Sequence, residues 1–238
     1  MAQPAGVHTI RSRSRLPNPP FRMIFCARSQ MGKTTTFVKM FLSQWFKQFN
    51  KVYIFCPTYK TDDVWADCDQ FTRSKKLKVY TYYSEKVIRR LWRYHDKRKE
   101  KGFKEQILFY FDDCGGEKGF KNNSEEGLMN SMSSKCNHAN ISLIICVQKL
   151  KQLSPTTRLN TEAFLTFNVC SELEKKAIYD DFGLPTSFSE FKRRLDEYTS
   201  KPYNYYYVNR QGPGAPDFYH NEEKLNTLPQ IKKTIRKK

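Results

Sequence analysis

Residues 21–36 read FRMIFCARSQMGKTTT, an apolar run followed by a short polar loop and the triplet Gly-Lys-Thr. Phe21 to Ala27 predicts a strand, and the apolar residues between Lys33 and Phe49 recur at helical spacing. A strand and a helix joined by a loop of the form GxxxxGK[ST] are typical of a phosphate-binding loop. We therefore expect an α/β protein of the P-loop nucleoside triphosphatase class.

The loop from residue 27 to residue 34 is expected to wrap nucleotide phosphates with its backbone N–H groups, helped by the positive end of the following helix. Lys33 is predicted to reach the β- and γ-phosphates, and Thr34 to place its hydroxyl on Mg²⁺. Gly32 leaves room where a side chain would collide with the nucleotide. Ala27 stands where the motif has its first glycine, which puts the loop geometry in question. The predicted nucleotide-binding residues are Ala27, Arg28, Ser29, Gln30, Met31, Gly32, Lys33, Thr34 and Thr35.

A second motif, ILFYFDD at residues 107–113, is an almost wholly apolar run that ends in two acids. Such a run is typical of a strand buried on both faces of a parallel sheet, and the carboxyl end of that strand opens into the ligand crevice. Asp112 is predicted to hold Mg²⁺, and Asp113 to orient and deprotonate the attacking water. The sequence leaves open whether the two acids share both roles. An Asp-rich turn without catalytic function is the alternative.

Two further polar residues are candidates for catalysis. Gln148 follows the apolar run 141–147 and is predicted to contact the γ-phosphate or the attacking water. An ordinary polar residue at a strand end is the alternative. Arg158, in the segment SPTTRLN at 154–160, is one candidate among many for an arginine that completes the site of a neighbouring subunit. The predicted catalytic residues are thus Lys33, Asp112, Asp113, Gln148 and Arg158.

Apolar strand-like runs alternate with helical patterns from residue 21 to residue 220. This alternation predicts a mostly parallel central sheet flanked by helices, in a single P-loop ATPase domain. Residues 1–20 carry arginines followed by prolines, which predicts a flexible basic arm. Residues 221–238 predict a basic tail.

The charge is strongly unbalanced, with 42 Lys and Arg against 24 Asp and Glu, a formal net charge of +18. A charge of this size favours a polyanionic partner, either nucleic acid or an anionic membrane surface, although it also serves solubility. The N-terminal arm, the tail and the basic helix predicted from Ser84 to Lys104 are candidate DNA contacts. A solvated face is an equal alternative for the helix, and a nuclear import signal for the tail.

The cysteines favour an intracellular compartment. There are seven, without a CxxC pair, and several lie inside apolar runs, as expected for reduced and buried thiols. Cys136 and His138 form only half of a zinc-site pattern. The sequence shows neither a signal peptide nor an apolar run long enough to span a bilayer, so we expect a soluble protein without a membrane span.

The motifs together resemble a known family. GKTTT at 32–36, FYFDD at 109–113, ICVQ at 145–148, TTRLN at 156–160 and YNYYYV at 203–208 occur in one order that is similar to the FtsK–HerA class of P-loop ATPases. Within that class, the chain most resembles the genome-packaging ATPases of poxviruses, other large DNA viruses and polinton-like or adintovirus-like elements. The resemblance covers about residues 21–220, and only the first two motifs are individually specific.

The resemblance implies a RecA-like core, a homo-oligomeric ring and ATP-driven translocation of double-stranded DNA into a preformed capsid. It implies ATP and Mg²⁺ as cofactors and a capsid or portal-vertex protein as partner. It also implies a location in the host nucleus, in the viral factory or with the virion. By this resemblance Lys33 and Thr34 match the phosphate loop, Asp112 and Asp113 the acidic pair, Gln148 the sensor, and Arg158 the trans-acting arginine.

Two other functions remain open on the sequence. A helicase or replication-associated P-loop ATPase would use the same motifs, but it should carry a strand-separating or origin-binding module, and none is evident. A nucleotide-switched DNA-binding protein without processive turnover would use the same site. A small-molecule kinase is disfavoured by the net charge of +18 and by the lack of an evident lid or acceptor site.

Overall fold

The computed structural model describes residues 16–45, 47–66, 68, 76–114, 127–211, 216–221 and 223–225. The strands are β1 (Arg22–Cys26), β2 (Lys51–Phe55), β3 (Leu77–Tyr80), β4 (Ile107–Phe111), β5 (Ile141–Val147), β6 (Ala163–Thr166), β7 (Tyr206–Asn209), β8 (Asp217–His220) and β9 (Glu223–Lys224). The α-helices are α1 (Lys33–Met40), α2 (Glu85–Glu100), α3 (Leu128–Lys135), α4 (Pro155–Leu159), α5 (Glu172–Phe182) and α6 (Phe188–Tyr198). A π-helical turn, Phe41–Trp45, continues α1, and short 3₁₀ segments lie at Asp63–Trp65, Cys136–Ala139 and Leu150–Gln152.

The strands of the described residues form one sheet in the order β3-β2-β4-β5-β1-β6-β7-β8-β9. The strands from β3 to β6 in this order pair in parallel, and β7, β8 and β9 add an antiparallel edge. Helices cover both faces of the sheet. The predicted mostly parallel sheet flanked by helices is therefore confirmed.

The central strands are buried on both faces because successive side chains point to opposite sides of a sheet. In β4, Phe109 and Phe111 join one core cluster with residues of α2, α3, α5 and α6. Leu108 and Tyr110 join the opposite cluster, which contains the apolar side of α1. This two-sided burial explains why residues 107–111 are apolar without alternation.

Serine side chains begin four of the helices. Ser84, Ser154, Ser171 and Ser187 each accept a hydrogen bond from the backbone N–H three residues later. Such a cap satisfies an N–H group that lacks a partner within the helix. In α2, the apolar residues Val87, Leu91 and Trp92 suggest a buried side by their spacing in the sequence. They pack against the core but are only partly buried, whereas Ile88 and His95 are buried.

The predicted boundaries of the terminal segments differ from the structure where it describes them. Leu16 is buried against the core cluster of α1, and Asn18 exchanges hydrogen bonds with the side chain of Gln211. Residues 16–20 therefore pack on the domain and do not belong to a free arm. Residues 223–224 add a strand to the sheet instead of starting the tail. Residues 1–15 and 226–238 lie outside the described residues.

Within the described part of the chain, no helix combines the length and the apolar character that crossing a bilayer requires.

Candidate functional site

Most of the predicted site residues meet at the carboxyl edge of the sheet. There β5 lies between β4 and β1, so the loops that follow these three strands are neighbours. A cavity of about 700 Å³ opens between them. It is lined by Ser29, Gln30, Gly32, Lys33, Thr34, Thr35, Thr58, Thr61, Asp62, Val64, Asp112, Asp113, Cys146, Val147, Gln148, Gln152 and Tyr203. The phosphate loop, both acids and the predicted sensor thus share one cavity.

The phosphate loop ends in the backbone geometry that its glycine permits. Gly32 has φ +94° and precedes α1 without a side-chain cap. A Cβ added at Gly32 would lie 2.8 Å from Cδ1 of Tyr203, and this φ strains any residue with a side chain. The first N–H groups of α1 therefore remain available to an anion, and the helix dipole favours negative charge at this end.

Ala27 does not disturb the loop. Its N–H donates to the carbonyl of Val147 at 3.0 Å, which continues the pairing of β1 with β5. Its side chain is 3% exposed and belongs to the core cluster around α1. Ala27 is also not one of the five non-glycine residues that have a positive φ in the described chain. The position does not need the backbone freedom of glycine, so the departure from the motif leaves the loop intact.

Lys33 is held inside the loop. Its side-chain ammonium Nζ donates to the carbonyl oxygens of Ala27 at 2.6 Å and Arg28 at 2.7 Å, and the residue is buried. A buried cation costs free energy unless it is hydrogen-bonded, and the two carbonyls meet this need. The charge is thereby placed beside the uncapped start of α1.

A chain of hydrogen bonds joins the phosphate loop to the acid of β4. The hydroxyl of Thr34 donates to Oδ2 of Asp112 at 2.8 Å, although the two residues lie 78 positions apart in the sequence. The hydroxyl of Tyr110 donates to the same oxygen at 3.0 Å, and the thiol of Cys146 donates to that hydroxyl at 3.2 Å. Burial raises the pKa of Tyr110 well above its usual value, so this residue stays a hydrogen-bond donor.

Asp112 is an unusual carboxylate because it is 6% exposed. Burial raises its pKa, and the hydrogen bonds from Thr34 and Tyr110, together with the charge of Lys33, oppose that rise. A carboxylate beside a hydroxyl is an all-oxygen donor pair of the kind that Mg²⁺ prefers. Thr34 and Asp112 therefore fit the metal-binding role that the sequence predicts for them.

The remaining predicted residues take different positions. Asp113 is exposed at the cavity with φ +52°, and Gln148 lines the cavity while its backbone N–H is bonded to the side chain of Gln152. Arg158 does not line the cavity. It forms an ion pair with Asp181 of its own chain through Nη1. The catalytic roles of all three stay predictions.

Among the predicted nucleotide-binding residues, three lie outside the cavity lining. Ala27 and Arg28 contribute the carbonyl oxygens that hold Lys33, and Met31 packs partly against the core cluster of α1. The other six residues of that set line the cavity.

Two further groups at the cavity were not predicted from the sequence. The segment after β2 contributes Thr58, Thr61 and Asp62. Tyr203 lies against Gly32 and lines both this cavity and a more apolar second cavity of about 860 Å³. The second cavity is lined by Leu16, Thr35, Thr36, Lys39, Met40, Leu42, Ser43, Tyr203, Tyr205, Tyr207 and Asn221. The motif YNYYYV marked the aromatic cluster, but only the fold brings its first tyrosine to the phosphate loop.

The chain is similar to proteins of poxviruses. Residues 10–183 match the model of the family described as Poxvirus A32 protein. The DNA packaging protein OPG160 of monkeypox virus is 27% identical over 172 residues, which is 66% of this chain and 51% of that protein. Its counterpart from vaccinia virus strain Copenhagen is 27% identical over 172 residues and is covered to 57%. The chain thus spans about half the length of the curated relatives it matches.

Two solved structures share the fold. One is the genome packaging NTPase B204 of Sulfolobus turreted icosahedral virus 2, in complex with ATP-gammaS, with a TM-score of 0.61 and 16% identity. The alignment covers 88% of this chain and 100% of B204. The other is the DNA-packaging ATPase B204 of Sulfolobus turreted icosahedral virus, with a TM-score of 0.62 and 14% identity over 87% of this chain and 99% of the other.

Proposed function

We propose that this chain is an ATP-hydrolysing motor that translocates double-stranded viral DNA into a capsid. The proposal starts from its family, because the chain belongs to the family described as Poxvirus A32 protein. The names of its relatives support this function, since two viral relatives are called DNA packaging proteins. The net charge of +18 suits a polyanionic substrate. We further propose that the motor works as a homo-oligomeric ring at a capsid or portal-vertex protein, in the viral factory or host nucleus or with the virion.

One observation carries the enzymatic part of the proposal. Lys33, Thr34 and Asp112 meet at one cavity, with 2.8 Å between the Thr34 hydroxyl and the Asp112 carboxylate. This combination of a buried cation, uncapped helix N–H groups and a carboxylate–hydroxyl pair suits a nucleoside triphosphate better than any neutral ligand.

Each residue has a distinct task in the proposed hydrolysis. Lys33 and the N–H groups of α1 bind the β- and γ-phosphates and stabilise the charge that develops on them. Thr34 and Asp112 hold Mg²⁺, which supplies further charge neutralisation when bound. Asp113 accepts the proton of the attacking water, and Gln148 contacts that water or the γ-phosphate. We retain Arg158 as the candidate that enters the site of the next subunit.

The test of this function is the rate of ATP hydrolysis with and without double-stranded DNA. We expect DNA to stimulate hydrolysis, because a motor couples ATP turnover to movement along the DNA that it binds. Strand displacement from a forked duplex would assign the chain to the helicase alternative. DNA binding that changes with nucleotide but shows no sustained turnover would assign it to the switch alternative.

We also propose that Tyr203 stacks on the base of the nucleotide. Its ring lies between the phosphate cavity and the apolar second cavity, and 66% of the residue is exposed. Tyr203 would therefore be a side chain that could hold the base of a nucleotide whose phosphates bind at the loop, since its ring is beside Gly32 and borders both cavities. Stacking of a base on an aromatic side chain is worth about 1–3 kcal/mol.

Replacing Tyr203 with Ala is therefore expected to weaken ATP binding by about 10-fold or more, since about 1.4 kcal/mol corresponds to a factor of ten. The Tyr203→Phe variant should bind ATP nearly as well as the wild type, because it keeps the ring. Calorimetric titration with ATP and with inorganic triphosphate gives the comparison. Inorganic triphosphate has no base, so an equal loss of affinity for both ligands would contradict stacking.

A further inference from the structure

The solvent side of α2 carries cations that the nucleotide site does not use. Lys86, Arg90, Arg93 and Lys97 recur at positions i, i+4, i+7 and i+11, which share one face of a helix. All four side chains are exposed. We call this set the basic stripe.

The opposite side of α2 fixes the direction in which the basic stripe points. Ile88 and His95 are 0% and 3% exposed, and Nε2 of His95 lies 2.9 Å from the hydroxyl of Tyr53. The N-terminal end of the helix is capped by Ser84. A helix anchored along its buried side and at its start presents the stripe as a preformed surface.

The basic stripe differs from Arg89 and Arg98 of the same helix in its partners. Arg89 pairs with Glu85 at 3.4 Å, and Arg98 pairs with Glu105 at 2.8 Å. No carboxylate of the described residues lies within ion-pair distance of a stripe residue. Like charges at i, i+4 destabilise an isolated helix by a few tenths of a kcal/mol. The arrangement therefore suits a partner that neutralises it.

The dimensions and composition of the basic stripe match a duplex backbone. Eleven residues of helix span about 16 Å at about 1.5 Å per residue. Double-stranded DNA carries one negative charge per about 1.7 Å of its axis, so each cation has a separate phosphate within reach. The stripe itself consists of Lys and Arg, and the exposed aromatic residue of the helix, Tyr94, lies beside it and not within it. Charge, and not apolar area, is therefore what the stripe offers to a partner.

We propose that the basic stripe of α2 binds the phosphate backbone of double-stranded DNA, an inference that takes its partner from the proposed function. The contacts are to phosphates, so they hold the duplex without reading its sequence. A packaging motor needs such contacts because it must move every sequence of a genome.

The test replaces all four stripe residues with Gln and follows binding to a short mixed-sequence duplex by fluorescence anisotropy over a series of salt concentrations. Each lost phosphate contact lowers the slope of log K against log salt by about 0.9. We expect the slope of the variant to be shallower by about 3 to 4 than that of the wild type. Binding is measured without ATP, so a chain that proved unable to hydrolyse ATP would still answer the question.

Two control variants separate the stripe from bulk charge and from misfolding. Changing Lys47, Lys135, Lys176 and Arg193 to Gln removes four exposed charges elsewhere and should leave the slope near the wild-type value. Exchanging Lys for Arg and Arg for Lys within the stripe keeps every charge and should also keep the slope.

Three outcomes would overturn the proposal. The first is an unchanged slope of log K against log salt in the stripe variant. The second is an equally shallow slope in the first control. The third is a stripe variant that binds the duplex like the wild type but no longer binds phosphatidylserine vesicles that the wild type binds. The last outcome would assign the stripe to an anionic membrane surface.

Discussion

Replacing Lys33 with Ala is expected to lower the rate of ATP hydrolysis at saturating ATP by at least about 10²- to 10³-fold, the usual loss when one preorganised donor to developing charge is removed. Lys33 is the buried cation of the phosphate cavity, and its ammonium is already positioned by two carbonyl oxygens. The phosphate charge that grows in the transition state would lose this compensation. Phosphate release in the presence of duplex DNA measures the effect.

The matched control for this prediction is Lys47→Ala, which removes an exposed lysine beyond the end of α1. It should hydrolyse ATP at the wild-type rate. A Lys33→Ala protein that is folded, oligomeric and fully active would contradict the assignment of the cavity as an ATPase site. Because the stripe on α2 is tested by DNA binding alone, that result would leave the stripe untouched.

The second large effect is expected at the two acids, and it should differ between them. Asp113→Asn should lower the hydrolysis rate by about 10²- to 10⁴-fold, the usual contribution of a general base, while Mg²⁺-dependent ATP binding persists. Asp112→Asn should also weaken that binding, because the variant loses the carboxylate beside Thr34. Titration with ATP in the presence and absence of Mg²⁺ separates the two roles.

Stability provides an independent readout for Asp112. Burial is the largest influence on this residue and raises its pKa, which means that folding disfavours the charged form. A carboxyl group whose pKa is higher in the folded than in the unfolded protein lowers the free energy of unfolding at neutral pH. Its neutral replacement should therefore leave the thermal midpoint unchanged or raise it. A marked fall in the thermal midpoint of the Asp112→Asn variant would show that the carboxylate stabilises the fold. A loss of activity in that variant could then result from unfolding and would not show that Asp112 binds Mg²⁺. Asp180→Asn, at an exposed site on α5, is the matched control.

The resemblance to poxvirus packaging ATPases is confirmed by the family match, and the local sequence predicted most of the parallel sheet. Residues 107–111 and 141–147 are buried on both faces, and all of them except Ser142 and the hydroxyl of Tyr110 are apolar, a pattern that predicts a central strand without further information. The pair Thr34–Asp112 was also predictable. The phosphate-loop motif and the strand that ends in Asp112 are both expected to contact the same Mg²⁺, so the two side chains should lie close together. Chemistry that is encoded in a motif can be read from the motif.

The contributions that were not predicted depend on distant contacts. Tyr203 reaches Gly32 only because β7 returns antiparallel beside β6, and a local pattern carries no information about that return. Leu16 was placed in a flexible arm because prolines follow it, but it is buried in the core cluster around α1 and lines the second cavity. His95 lies on the buried side of α2 although it is polar, because its Nε2 pairs with the hydroxyl of Tyr53, 42 positions away in the sequence, while its buried Nδ1 has no hydrogen-bond partner among the described residues.

Under the proposed function, the two carbonyl bonds of Lys33 bear on the entropy of nucleotide binding. Because the carbonyl oxygens of Ala27 and Arg28 already hold the ammonium, a bound triphosphate would not have to order this long side chain. The rotamer entropy that a lysine usually loses on ordering, about 1.5–2 kcal/mol, would then not be subtracted from the affinity.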